Sequence, residues 1–249
     1  MSSSSTDQNV WPADQRLQEL LLFYHAYGHN YHSPRGSFFD ILRLSDDELE
    51  RKHDFIQWLF PLTEPSVHNP TVPVLDYQTI MIFRRHPQDL LRENVRLALM
   101  RMLWFYGFDP VWNDGSLFIE PIEGPIGKHR RWLKNRDHNH LRLSRIIRSL
   151  RIFGMAHEAE VVYRMFVDTS GAWGNIVSDA TLGHWKRSVE GDPFQKLNIE
   201  QRLKQELNDE DAENIADYPG DAPATDPEGD YLELVCVDNM GTFRTYIVR

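Results

Sequence analysis

The sequence predicts a mainly α-helical protein, a compact bundle-like domain with minor β structure. Three observations carry this. Apolar residues recur at the three- and four-residue spacing of an amphipathic helix through several long stretches. Helix start and stop residues bracket those stretches. Alternating β-branched and aromatic runs occur in two places only, a short hairpin near 111–120 and a second hairpin at the C-terminus.

Residues 1–10 are Ser-rich and polar and read as a disordered tail. Leu17, Leu20, Leu21, Tyr24 and Tyr27 then hold a helical stripe that Gly28 stops. Phe38, Phe39, Ile41 and Leu42 mark a short apolar helix or turn. Ser45 and Glu48 form an S-x-x-E capping box ahead of Leu49, His53 and Ile56, which predicts one helix ending near Pro61. Ile80 and Phe83 place a helix over about 75–85. Pro87 opens a longer one whose stripe runs Leu91, Val95, Ala98, Leu99, Met102 and Tyr106 up to Gly107. The NDG at 113–115 is a hairpin turn. Asn139 reads as the N-cap of a helix to Phe153 with Leu143, Ile146, Ile147 and Leu150 on its apolar face. Further helices are expected at about 156–167 and 173–188.

Ten acids and no Lys or Arg fall between Glu206 and Asp230, the composition of a solvated acidic linker. YLELVCV and TFRTYIV, joined by DNMG, form the C-terminal hairpin over 231–249. The expected organisation is a helical domain over 11–205, the linker over 206–230, and the hairpin.

The chain has 249 residues, 27 Lys+Arg against 37 Asp+Glu, a formal charge of −10 and one cysteine. A single Cys236 excludes an intramolecular disulfide and any zinc site needing two cysteines of one chain. No run of about 18 apolar residues is present, so no transmembrane helix is expected. The N-terminal MSSSSTDQN has neither the basic nor the apolar part of a signal peptide. A cytoplasmic location is the expectation. Glycine-rich phosphate loops, a nucleophile elbow and a catalytic Cys–His arrangement are not found. No catalytic residue, cofactor or metal site is assigned, and the protein is expected not to be an enzyme.

The sharpest charge feature is the stretch from Lys128 to Arg151, nine cations against Asp137 alone. It could meet nucleic acid or anionic lipid phosphates, hold an acidic partner or peptide carboxylate by arginine forks, or pair with the chain's own acids. The acidic whole favours pairing within the chain or with a protein partner. Arg142, Arg145, Arg148 and Arg151 are spaced by three and precess around their helix. An arginine beside so apolar a face needs partners, and a buried carboxylate is expected on at least one of these four, Arg142 and Arg145 being the favoured ones. The histidines are read as capping and loop hydrogen-bonding groups.

Three blocks occur in order: HDFIQWLFPL from His53 to Leu62, RMLWFYGF over 101–108, and HNHLRLSRIIRSLRIF over 138–153. Together they resemble the N-terminal domain of the opioid growth factor receptor family, over roughly residues 35–170. The resemblance implies a mostly helical domain, not a seven-helix receptor. In vertebrates the family is associated with an enkephalin pentapeptide at a nuclear-associated receptor. It therefore implies a receptor-like or adaptor protein that binds a peptide or protein partner, with nuclear or peripheral membrane association if the family pattern holds. The alternative is a nucleic-acid- or anionic-membrane-associated protein using the 128–151 patch. The candidate binding residues are Trp58, Trp104, Arg142, Arg145 and Arg148. For the tryptophans the competing reading is packing in the core, as buried aromatics usually do.

Overall fold

A computed structural model describes residues 12–25, 36–66, 69–85, 90–122 and 131–194, and the backbone of strands 232–237 and 243–248. The N-terminal tail, Tyr27 and Gly28, Pro87, Lys128, Arg130, the acidic segment and the Cys236 side chain lie outside the described residues. Fold class follows the sequence expectation: helices dominate, and the strands form two antiparallel hairpins.

Helix α1 spans Gln15–Tyr24 and starts at Asp14, whose carboxylate accepts the Arg16 backbone N–H. The Arg16 guanidinium and that amide together hold the Asp14 carboxyl below its ordinary range. Two short helices follow, α2 (Phe38–Leu42) and α3 (Asp46–Arg51), each opened by a full capping box, Ser37 with Asp40 and Ser45 with Glu48. The helix expected to run on to Pro61 is broken. Lys52 takes an extended conformation and a four-residue helix, α4 (Ile56–Leu59), resumes beyond it. The carbonyls at the break have outside partners: Lys52 accepts from Arg142 Nη2 at 2.6 Å and Asp54 from Asn69 Nδ2 at 3.1 Å.

Next come α5 (Tyr77–Arg85) and α6 (Leu90–Tyr106). Leu91, Val95, Ala98, Leu99, Met102, Leu103, Phe105 and Tyr106 of α6 are all within 1% of full burial, on more than one face, so α6 is the central helix. Gly107, at φ +91°, ends it. Strands β1 (Phe108–Asn113) and β2 (Ser116–Pro121) pair antiparallel around Asp114 and Gly115, both at positive φ as a two-residue hairpin loop demands.

Helix α7 (Asn139–Ile152) packs against α8 (Ala156–Ala172) and α9 (Asp179–Glu190). Asn139 is not the N-cap. The Asp137 carboxylate accepts the Asn139 backbone N–H at 2.8 Å, which frees the Asn139 amide to hold Arg142 and Glu50. Helix α8 continues five residues beyond its expected end, and α9 starts late because Ser178 caps it by accepting the Thr181 N–H. Strands β3 (Leu232–Val237) and β4 (Phe243–Val248) form the C-terminal hairpin.

Two aromatic clusters fill the core. Phe23, Tyr24, Phe38, Trp58 and Phe83 pack around α1 and α4 with ring centroids 5.0–5.5 Å apart. Trp132, Phe108, Phe166 and Trp185 join β1, α8 and α9. Trp132 and Trp185 donate their indole N–H groups to the carbonyls of Tyr106 and His140.

Trp58 is 2% exposed and Phe60 fully buried. Replacing either by Ala should cost about 3–5 kcal/mol, the range for emptying a buried aromatic site. Urea denaturation of each variant measures this directly, and parent-like midpoints would contradict it.

Candidate functional site

Pro61 turns the chain out of α4, so Leu62, Glu64 and Pro65 run alongside α7. Between these two segments lies an open cavity of about 630 Å³. One wall is Ile56, Gln57, Leu62, Glu64 and Pro65. The other is Leu141, Ser144, Arg145 and Arg148 of α7, and His53, His138 and Arg142 close one end.

The three arginines of this wall have different surroundings. Arg148 lays both terminal nitrogens on the two Glu64 carboxylate oxygens, a bidentate pair whose side chains are only 17% and 15% exposed. Arg142 is 5% exposed. It donates to Asn139 Oδ1 at 3.0 Å, to the Lys52 carbonyl and to His53 Nδ1 at 3.1 Å, with its guanidinium 5.2 Å from the Phe55 ring centre. A guanidinium has only donors, so His53 Nδ1 accepts and the ring proton sits on Nε2. Arg145 donates Nη1 to the Phe60 carbonyl at 3.0 Å. Among the described residues no carboxylate lies within ion-pair distance of it.

One of the four arginines does meet a half-buried carboxylate, but it is Arg148 and not the favoured Arg142 or Arg145. Those two grip backbone carbonyls. Pro61 accounts for this: the chain passes Arg145 as backbone at Phe60 and reaches carboxylate chemistry only at Glu64, one turn further along α7. Burial pulls the Arg145 guanidinium down to about 10, against the pull of nearby Glu64, so it remains a cation at neutral pH. Burial, then Arg142, hold the His138 imidazole below its ordinary range, while Asp137 and Glu50 act the other way.

Gln57 has only an indirect mark in the sequence, a single amide inside the apolar run from Phe55 to Phe60. It lines the cavity, is 4% exposed, and its Oε1 has no hydrogen-bond partner. Trp58 and Trp104 do not line this cavity. Trp58 packs 5.4 Å from Phe23, and Trp104 donates its indole N–H to Asp109 Oδ1 at 3.0 Å, at the junction of α6 and β1. Of the five candidate residues, the structure brings Arg142, Arg145 and Arg148 together and leaves the two tryptophans apart from them.

Residues 35–190, more than half of the chain and both walls of the cavity, match the family model for the opioid growth factor receptor conserved region. The chain belongs to this family. It is 32% identical to the human opioid growth factor receptor over 145 residues, covering 54% of this chain and 20% of the human protein. The rat receptor is 33% identical over 122 residues, 49% of this chain and 20% of its own length. Opioid growth factor receptor-like protein 1 of Xenopus tropicalis is 29% identical over 124 residues, 50% of this chain and 23% of that protein. The chain spans about a fifth of the length of these curated relatives. No solved structure matches it. Among the described residues no helix is long and apolar enough to cross a membrane, and no three His, Cys, Asp or Glu side chains are grouped to hold a metal ion.

Two measurements check this geometry. Arg142→Ala strips a buried carbonyl and a buried amide of their charged donor and should lower stability by about 1.5–3 kcal/mol. Arg164→Ala, which breaks the exposed pair with Glu160, should stay within about 0–1 kcal/mol in the same denaturation assay. The lowered His138 value means that the unfolded chain binds the extra proton first. Its contribution to stability is present above the ordinary histidine range and lost as pH falls through the lowered folded value. Denaturation midpoints should fall from neutral to mildly acidic pH, and His138→Gln should flatten that slope.

Proposed function

We propose that this protein is a receptor-like or adaptor module, not an enzyme, that binds a peptide or an extended segment of a protein partner in the cavity between α4 and α7. The observation that carries this is a single one: a cavity of ligand-binding size, apolar at Ile56, Leu62 and Leu141, holds a cationic Arg145 with no paired carboxylate among the described residues. Its volume falls within the roughly 300–1,000 Å³ of small-ligand sites. Such a mixture suits a short peptide with apolar side chains and one negative charge. The family supports the same reading, since its human and rat relatives bear the name opioid growth factor receptor.

The basic-patch alternative draws less support. Of the four α7 arginines, Arg142, Arg145 and Arg151 donate to backbone carbonyls and Arg148 to Glu64, so their charge is directed inward. A phosphate-binding helix presents its cations outward to a polyanion.

Binding of a fluorescent enkephalin pentapeptide and of an N-acetylated pentapeptide library tests this reading. The wild type should retain peptide, and Leu141→Glu, at a 66% exposed wall position that the fold does not need, should abolish retention. Affinity should weaken only modestly between low and physiological salt. A loss of about a thousandfold or more, with comparable binding to duplex DNA, would instead mark phosphate contacts.

A further inference from the structure

We propose that the cavity recognises the free C-terminus of a peptide, with Arg145 anchoring the terminal carboxylate and Gln57 Oε1 accepting the N–H of the last residue. This rests on the peptide-binding reading above and names the part of the peptide that is read.

The arginines of the cavity differ in how far they are engaged. Arg148 has its fork on both oxygens of Glu64. Arg142 is buried and divided among Asn139, Lys52 and His53. Arg145 carries five N–H donors and gives one nitrogen to the Phe60 carbonyl. That bond fixes the plane of the guanidinium, so little side-chain freedom remains to be lost when an anion arrives. Its charge is half withdrawn from water, which a carboxylate at the fork would compensate.

Gln57 supplies the second, independent requirement. It sits one helical turn before Phe60, whose carbonyl holds Arg145, and its buried Oε1 has no donor. An acceptor left so costs free energy until an N–H reaches it. Both side chains line the one cavity, so a ligand that meets both brings a carboxylate and an N–H to it. The last residue of a peptide carries both, one on either side of its Cα. Sulfate or fully ionised phosphate brings acceptors only and leaves Gln57 unmet. An internal peptide segment brings a charge for Arg145 only through an Asp or Glu side chain, whose carboxylate stands at least one carbon further from its own N–H than the terminal carboxylate does. The apolar surface of Ile56, Leu62 and Leu141 then favours an apolar terminal side chain.

The test uses the full chain and one library of N-acetylated pentapeptides made in two forms, free acid and C-terminal amide. Peptides retained by the protein are sequenced by mass spectrometry, and the most enriched sequence is titrated in both forms. The acid should bind at least about tenfold more tightly than its amide, the scale of one charge-assisted contact, and apolar last residues should be enriched. Arg145→Gln should bring the acid down to the affinity of the amide, and Arg145→Lys, a point charge without the fork, should restore only part. Gln57→Leu should weaken the acid while the wild-type acid-to-amide ratio is kept. Equal binding of the two forms by the wild type overturns the proposal and leaves peptide binding standing, whether or not the variants fold. Retention of neither form overturns peptide binding and this proposal with it. Displacement of the acid by inorganic sulfate as readily as by the acid itself shows a general anion site and also overturns it.

Discussion

The last four carbonyls of any helix lack an N–H partner within it, which in helices of four to six residues is most of them, and arginines from longer helices supply the missing donors. Arg101 of α6 donates to the carbonyls of Leu42 and Leu44 at 3.0 and 2.6 Å, and to the Asp46 carboxylate. Arg142 and Arg145 of α7 do the same for Lys52 and Phe60. Arg84 of α5 in turn holds the last carbonyls of α7, at Arg151 and Ile152, and Arg151 reaches the carbonyl of Ser188 in α9. A chain of guanidinium-to-backbone contacts thus runs from α2 to α9. A planar fork spreads five donors over three nitrogens and so reaches two or three separated acceptors at once, where lysine offers three donors on a single nitrogen.

The cavity is a by-product of that scaffolding. The arginines draw the segment 52–64 along one side of α7 without letting its side chains close over the helix. Glu64 settles Arg148, and the Lys52 carbonyl, with Asn139 and His53, settles Arg142. Between them Arg145 has, among the described residues, only the Phe60 carbonyl, and the cavity in front of it is lined by Ile56, Leu62 and Leu141 together with the buried amide of Gln57. Stability and the proposed recognition draw on the same residue type in the same helix, with the difference set by what the opposite segment of chain offers at each turn.

Much of the fold was legible because the responsible interactions are local. The Ser45–Glu48 box, the Asp114–Gly115 turn and the α6 stripe each involve residues a few positions apart. The break after Arg51 was not legible, since Leu49, His53 and Ile56 keep helical spacing straight through it. What breaks the helix is a donor 90 residues away. Asn139 misled for a similar reason: it has the chemistry of a cap, but Asp137 takes that place and Asn139 faces Arg142 and Glu50. Counting charge pointed to α7 and to Arg142, Arg145 and Arg148. It could not say that two of them would meet carbonyls and one a carboxylate, because carbonyls carry no mark in a sequence. Gln57 and Glu64 join the site only through the turn at Pro61.

Helix α4 has four residues and no side-chain cap, so it has no standing as an isolated helix. Its end is held by the Tyr24 hydroxyl on the Leu59 carbonyl and by Arg145 on that of Phe60. The second of these spans 85 residues. During synthesis from the N-terminus, the ribosome must therefore release α7 before the wall carrying Gln57 has its final support. Until then the aromatic run Phe55–Phe60 is a stretch of unprotected apolar surface on the nascent polypeptide, the kind of segment that chaperones hold.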